Sequence, residues 1–337
     1  VTLLLAATAV LAAVLTAFVL RYTRARGLLD QPSERSSHVV PTPRGGGAAI
    51  VIATLGATLA GLLSDRIAPG LAYALLLGGP LVATVGWLDD RRGVTAGRRL
   101  LVHTAAAGVA VAALGGLHGA GGTGAFLACL GIVWAINLYN FMDGLDGLAA
   151  SEGVTVGASS AVLLSASGRP DLAAAAAIVA AAAAGFLPFN WPPARIFLGD
   201  VGSGFLGYVF GVLALGSHNA AVLPVHLWLV LLGVFVFDAT ATLFRRMLGR
   251  ERITTPHRLH AYQRLARAGW SHRRVTIAVI GVNLLLVFWV WAAQTQGVGA
   301  GWFSLASLGA LLTLYLAVER VAPLAQFRNP EGSSRYK

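Results

Sequence analysis

The stretch GAFLACLGIVWAINLYNFMDGLDG, residues 124–147, decides the fold. Its first part, Gly124 to Phe141, approaches the roughly 20 apolar residues that cross a hydrocarbon core. Its second part sets Asn137, Asn140, Asp143 and Asp146 at intervals of three. Steps of three on a 3.6-residue helix drift by about 60° each, so Asn137 and Asp146 would point oppositely on a regular helix. Gly144 and Gly147 predict that the helix loosens there. A break at membrane depth is tolerated where it lines a cavity enclosed by protein, and it would let Asn140, Asp143 and Asp146 converge. A helix cap, the plainer alternative, needs only one of them.

Working outward, the same apolar grain runs through the chain. Of its 337 residues 56% are hydrophobic and only 12% charged, with mean hydropathy +0.72, against roughly 25% charge in soluble domains. Strong spans read at Val1–Leu20, Gly46–Leu63, Leu71–Leu88, Leu100–Leu117, Gly124–Phe141 and Asp171–Pro188. Weaker ones read at Gly153–Ser165, Gly204–Leu215, Ala221–Phe244, Val275–Ala293 and Gly301–Val318. The expectation is an all-α polytopic membrane protein of about 11 helices with its termini on opposite sides. The first segment lacks a basic n-region and an A-x-A exit followed by a soluble domain, so it reads as a span rather than a signal peptide. The single cysteine, Cys129, excludes an intramolecular disulfide and a cysteine-based zinc site.

Charge sets the orientation. Of the 25 lysines and arginines, all but Arg66 and Arg169 fall in the loops 21–45, 89–99, 142–152, 189–203 and 245–274 or in the tail from Arg320. The positive-inside rule makes that side cytoplasmic, with the N-terminus periplasmic and the C-terminus cytoplasmic. Topology alone thus accounts for the net charge of +11 without a nucleic-acid partner, and the same charge attracts anionic lipid headgroups and an anionic substrate. The alanine run 173–184 suits close helix packing, and no inverted repeat of the transporter kind is visible. The chain reads as a single integral-membrane domain, 1–320, followed by a tail, 321–337.

Four further constellations lie on the arginine-rich side. Asp89 and Asp90 end a span and precede Arg91, Arg92, Arg98 and Arg99; adjacent helical residues diverge by about 100°, so one carboxylate faces a ligand while the other works from behind. Asp200 is framed by Gly199, Gly202 and Gly204 just before an apolar run, either as an N-cap or where backbone approaches phosphate or metal. Phe197, three residues earlier, is core or is placed to stack on a base. In the longest loop, His257, Arg258, His260, Tyr262 and Gln263 lack the third ligand of a zinc site and suit oxyanion or sugar binding. Finally His38 and Pro41-Thr-Pro-Arg44 lead into Gly45-Gly46-Gly47, a flexible helix entry or a backbone cradle for anions. Asp238, inside an apolar run, needs a partner of some kind.

The order SSH-x-x-PTPRGGG (36–47), LDD (88–90), NLYNFMDGLDGLA (137–149), FLGDVGSGFLG (197–207) and HRLHAYQ (257–263) resembles the polyprenyl-phosphate N-acetylhexosamine-1-phosphate transferases, glycosyltransferase family 4. The match runs from about Asp30 to Arg264. The resemblance is nearer to the enzymes that initiate O-antigen than to the phospho-N-acetylmuramoyl-pentapeptide transferases, which carry a run of histidines where this chain has His257, Arg258 and His260. It implies catalytic roles for Asp89, Asp90, Asp143, Asp146 and His260 and a magnesium ligand at Asp200. It also implies substrate contacts at Asn137, Asn140, Phe197, His257, Arg258, Arg99, Arg44 and His38, with Phe197 at the uracil-stacking position and Arg99 on the lipid phosphate.

The expected activity follows from the resemblance. N-acetylhexosamine-1-phosphate passes from a UDP-N-acetylhexosamine to undecaprenyl phosphate, UMP leaves, and Mg2+ (with Mn2+ as its substitute) is the cofactor. This is the first membrane step of O-antigen or another cell-surface polysaccharide, at the cytoplasmic face of the bacterial inner membrane, by a chain free to form a homodimer. A secondary transporter is the rival class and would place its polar groups near the bilayer midplane. A CDP-alcohol phosphotransferase would show a D-G-x-x-A-R arrangement, which is absent.

Overall fold

The computed structural model describes residues 2–27, 29–31, 40–251, 257–296 and 300–327. It is a bundle of helices: α1 (Thr2–Ala25), α2 (Gly47–Leu63), α3 (Pro69–Tyr73), α4 (Gly79–Arg92), α5 (Ala96–Leu114), α6 (Gly124–Phe141), α7 (Leu148–Ala166) and α8 (Pro170–Asn190). There follow α9 (Asp200–Asn219), α10 (Val225–Leu231), α11 (Gly233–Leu248), α12 (Ala261–Arg267), α13 (His272–Gln296), α14 (Ala300–Val321) and α15 (Leu324–Phe327). A π-helical turn, Ala74–Gly78, joins α3 to α4 as one rod. The described strands are β1 (Leu29–Asp30) and β2 (Thr42–Pro43), an antiparallel pair that leads the chain from α1 into α2.

Among the described residues eight helices are long and apolar enough to cross a membrane, or up to nine with the bent pair α10 and α11 taken as one span. Helix α2 is apolar but short, and α5 opens on Arg98 and Arg99. The expected span Ala221–Phe244 is therefore not one rod: it breaks at Leu232, and its halves meet at 88°. Gly233 stands beside the break, but a lone glycine in an apolar run does not fix a bend. Phe235 and Ala239 of α11 are buried, while Phe244, Met247 and Leu248 near its end are exposed.

Helix α9 is the axis of the bundle and is buried along nearly its whole length. It packs on α6, α4, α2 and α8, and α7 packs on α8 and α13. Close approach needs small residues; a Cβ on Gly47 would overlap the Gly202 backbone, so both glycines are fixed where α2 and α9 start. Successive rods alternate in direction. The start of α2, the end of α4, the start of α5, the end of α6 and the start of α9 consequently share one end of the bundle, as their mutual contacts below require.

Candidate active site at the shared helix ends

The first group is built where α4 ends against the beginning of α9. Asp90 is 5% exposed; its Oδ1 accepts the Asp200 N–H at 2.9 Å and its Oδ2 the Val201 N–H at 3.2 Å. It thus satisfies donors that every helix start leaves open, and its charge suits the positive end of the α9 dipole. Gly199 makes this possible. Its φ is +76° and a Cβ there would lie 2.5 Å from Asp90 Oδ2. Asp89, its neighbour, turns elsewhere: Oδ1 takes the Val94 N–H, and Oδ2 pairs with Arg99 Nη1.

Two arginines bind the three aspartates together. Arg44, delivered by β2, reaches Asp90 Oδ1 through Nε at 2.9 Å and Asp200 Oδ1 through Nη2 at 3.0 Å. Arg99, in the first turns of α5, joins Asp89 to Asp200 Oδ2, the latter at 3.3 Å. Asp200, 17% exposed, is therefore gripped on both oxygens by different guanidiniums. Burial tends to lower the Arg44 pKa, but Asp90 and Asp200 outweigh it and hold the side chain charged.

The second group is the turn between α6 and α7. The helix ends at Phe141 and residues 142–147 form an irregular turn with Gly147 at φ +74°, as the glycines predicted. Asn140 Nδ2 donates to Ser203 Oγ of α9 at 3.1 Å. Burial, partly offset by Arg44 and reinforced by Asp200, Asp90 and Asp146, raises the Asp143 pKa to about 8. Asp146 Oδ2 accepts the Ala194 N–H at 3.1 Å and meets His272 Nδ1 of α13 at 3.3 Å. Asn137 is turned back on its own helix, donating to the Val133 carbonyl at 2.7 Å.

The glycine run does not form the anion cradle that its composition allows. The N–H groups of Gly46 and Gly47 donate to the carbonyls of Phe197 and Leu198, each at 2.9 Å, and Phe197 N–H donates to the Pro43 carbonyl at 2.8 Å. The run is a backbone seam that docks β2 and α2 on the segment leading to Asp200. Phe197 itself is half-buried. His38 lies outside the described residues.

The third group is the histidine segment. Asp238 of α11 caps α12: Oδ1 accepts the Ala261 N–H at 2.8 Å and Oδ2 the Tyr262 N–H at 3.2 Å, with Thr242 Oγ1 donating at 3.0 Å. His260 is 2% exposed, with Nδ1 at 3.6 Å from Asp238 Oδ1 and its ring against Tyr262 and His257. Tyr262 donates from its hydroxyl to the Phe141 carbonyl at 2.9 Å, which fastens the segment to the end of α6. Burial, helped by His260 and Arg246, lowers the His257 pKa to about 3. His257 is then neutral at pH 7, and since Nδ1 accepts the Leu259 N–H at 3.3 Å the proton sits on Nε2. Arg258 is half-buried beside it.

Comparison with known proteins settles the family. The glycosyl transferase family 4 profile matches residues 72–218. A decaprenyl-phosphate N-acetylglucosaminephosphotransferase of Mycobacterium tuberculosis (strain ATCC 25618 / H37Rv) is 30% identical over 337 aligned positions, covering 88% of this chain and 82% of its own. The chain belongs to glycosyl transferase family 4, the polyprenyl-phosphate N-acetylhexosamine-1-phosphate transferases. A probable undecaprenyl-phosphate N-acetylglucosaminyl 1-phosphate transferase of Bacillus subtilis (strain 168) is 29% identical, covering 81% of this chain and 79% of its own. A phospho-N-acetylmuramoyl-pentapeptide-transferase of Synechococcus sp. (strain RCC307) is 34% identical, at 67% and 71% coverage.

In this family 4 chain no three His, Cys, Asp or Glu side chains among the described residues make a metal cage of their own. The donor set nevertheless fits a hard cation that arrives with phosphates, because Mg2+ usually takes one or two carboxylates and fills its shell from substrate and water. Asp200 and Asp89 offer such oxygens, and Asp200, Asp90 and Asp146, which add to burial in raising the Asp143 pKa, make a negative field that a cation relieves. Ser203, which accepts from Asn140, lies inside the FLGDVGSGFLG stretch without being singled out there, and His272 and Thr276, which meet Asp146, belong to none of the quoted motifs. The signal for His272 was present in Ser271-His272-Arg273-Arg274, polar residues opening an apolar span beside a loop already assigned to the site.

Proposed function

We propose that this chain transfers N-acetylhexosamine-1-phosphate from a UDP-sugar to undecaprenyl phosphate, releasing UMP, on the cytoplasmic side of the inner membrane. The observation that carries the reading is the bridging of Asp89, Asp90 and Asp200 by Arg44 and Arg99 where α2, α4, α5 and α9 share one end, and the positive-inside rule supports a cytoplasmic position for that end. The named activities of the relatives support the same reaction. Two anionic substrates must meet, so repulsion is the main obstacle, and paired guanidiniums beside carboxylates answer it.

Arg99 is placed to exchange its Asp89 contact for the lipid phosphate, and Arg44 to steady the leaving phosphate. An oxygen of the lipid phosphate attacks the sugar-bearing phosphorus in line, the bond from that phosphorus to the bridging oxygen breaks, and that oxygen departs on UMP. No base is required, because a phosphate monoester with a second pKa of about 6 is mostly deprotonated at neutral pH. Orientation is therefore the work assigned to Asp89. Bound Mg2+, held by Asp200 with help from neighbouring carboxylates, would neutralise charge on the pyrophosphate. Neutral His257 and charged Arg258, in the segment that Tyr262 fastens to the end of α6, would serve as hydrogen-bond donors for phosphate or sugar.

The test is purified protein with undecaprenyl phosphate and a panel of UDP-N-acetylhexosamines, read by mass detection of the lipid product and by exchange of radiolabelled UMP into the donor. Product that requires Mg2+ and is lost in Asp200→Asn is expected. No exchange with any donor, or full activity in Asp200→Asn, would refute the assignment.

A further inference from the structure

Asp146 is fixed from three directions. Oδ2 accepts the Ala194 N–H at 3.1 Å, His272 Nδ1 lies 3.3 Å from the same oxygen, and the Asp146 carbonyl accepts from Thr276 Oγ1 at 3.0 Å. His272 and Thr276 stand four apart on α13 and so share one face of it. Both side-chain contacts use Oδ2; Oδ1 takes no hydrogen bond from the described residues. His272 and Asp146 are each partly exposed, at 21% and 13%, and the field of Asp146 reaches Asp143, which in turn is coupled to Arg44, Asp200 and Asp90. Asp146 is thus held through one oxygen, while the other takes no hydrogen bond from the described residues.

We infer that His272 is a positioning residue for the donor substrate: by holding Asp146 Oδ2 through Nδ1–H it presents Oδ1 as an acceptor for an N–H or O–H group of the nucleotide sugar. This rests on the proposed transfer reaction. The choice between the two substrates follows from chemistry. An ionised carboxylate only accepts hydrogen bonds, and a deprotonated polyprenyl phosphate offers no donor, whereas a nucleotide sugar carries a base N–H, an amide N–H and several hydroxyls. His272 serves Oδ2 as the donor, through its Nδ1–H. Residue 272 lies beyond the span 72–218 matched by the family profile, so the inference stands on the contact itself.

The experiment compares wild type, His272→Phe, His272→Asn, Asp146→Asn and the double variant His272→Phe/Asp146→Asn as full-length purified protein. The side-chain amide of asparagine places an N–H where Nδ1–H stands, so His272→Asn should keep donor KM within about threefold, while His272→Phe should raise it about tenfold or more, the worth of a hydrogen bond to a charged group. KM for undecaprenyl phosphate should stay constant, and the double variant should be no worse than Asp146→Asn. Binding of UDP-N-acetylglucosamine without lipid, measured by calorimetry on the same samples, should weaken in parallel. Equal loss toward both substrates, unchanged donor KM and binding in His272→Phe, or additive losses in the double variant would overturn the inference. If wild type binds the nucleotide sugar and His272→Phe weakens that binding, yet no lipid product forms, the transfer reading falls and the positioning role stands; a wild type that does not bind it defeats both. Thermal midpoints identify any variant that fails to fold, and His272→Asn then carries the comparison with Asp146→Asn.

Discussion

Arg44 joins Asp90 and Asp200 with two different nitrogens, at 2.9 and 3.0 Å, a fork that a lysine ammonium on its flexible stem does not reproduce. Arg44→Lys keeps the charge and should still lower the rate of lipid product formation by roughly 10²–10³, the effect of losing one preorganised donor at a developing charge; a rate within about twofold of wild type would contradict the role. Asp143 makes a second residue-scale prediction. Burial and the neighbouring aspartates move its pKa from 3.8 to about 8, so between those values the folded chain keeps a proton that the unfolded chain has released. Stability then falls as pH rises through that window, and the loss is complete above the folded value. Without divalent cation, the melting midpoint in detergent should drop between pH 6 and pH 9, and Asp143→Asn should flatten the decline; an equal slope in the variant would assign it to other groups. The identities of these residues were readable from sequence because a carboxylate set at the end of an apolar helix is costly unless it serves a site or a cap. Their division of labour was not. That Asp90 serves the α9 start depends on a contact between positions 110 residues apart.

Among the helices, α12, like α9, begins on a carboxylate from another element. Its first two N–H groups donate to Asp238, and Thr242 orders the same carboxylate. Asp238→Ala should leave those donors buried and destabilise the protein by about 1–3 kcal/mol, seen as a lower melting midpoint, whereas Asp238→Asn keeps one acceptor and should lose less. Equal midpoints in all three proteins would remove Asp238 from this role. The sequence marked Asp238 as needing a partner without supplying one, since the partner is a helix start in a distant loop and hydropathy contains no register. The same limit explains the bend at Leu232: averaging over an apolar run registers length but not direction, so α10 and α11 read as one span. The glycine run stayed open for a related reason. Its composition permits a flexible helix entry or an anion cradle, and the carbonyls of Phe197 and Leu198, which take the Gly46 and Gly47 N–H groups, are invisible to it.

At the scale of the molecule, the C-terminal helices must be fastened to a bundle whose axis is α9, and polar contacts do much of this. Tyr262 binds the end of α6, Thr276 binds the turn before α7, and the buried Arg264 joins Glu319 of α14 at 2.8 Å. Also buried is Glu152 of α7, hydrogen-bonded to Asn283 of α13, each 1% exposed. Span hydropathy made both helices legible, yet their pairing crosses 131 positions and lay beyond any sequence window. Glu152 Oε1 and Asn283 Oδ1 have no hydrogen-bond partner among the described residues, so either substitution alone strands a polar group in the bundle. Glu152→Leu and Asn283→Leu should each lower the melting midpoint, and the double variant should recover part of the loss, because replacing both partners by apolar groups can be nearly neutral. The coupling should be about 0.6–1.7 kcal/mol, the range found for interhelical hydrogen bonds in lipid. A double variant as unstable as the two single losses combined would mean that the pair is not what joins α7 to α13, and the apolar packing between those helices would then have to carry the attachment alone.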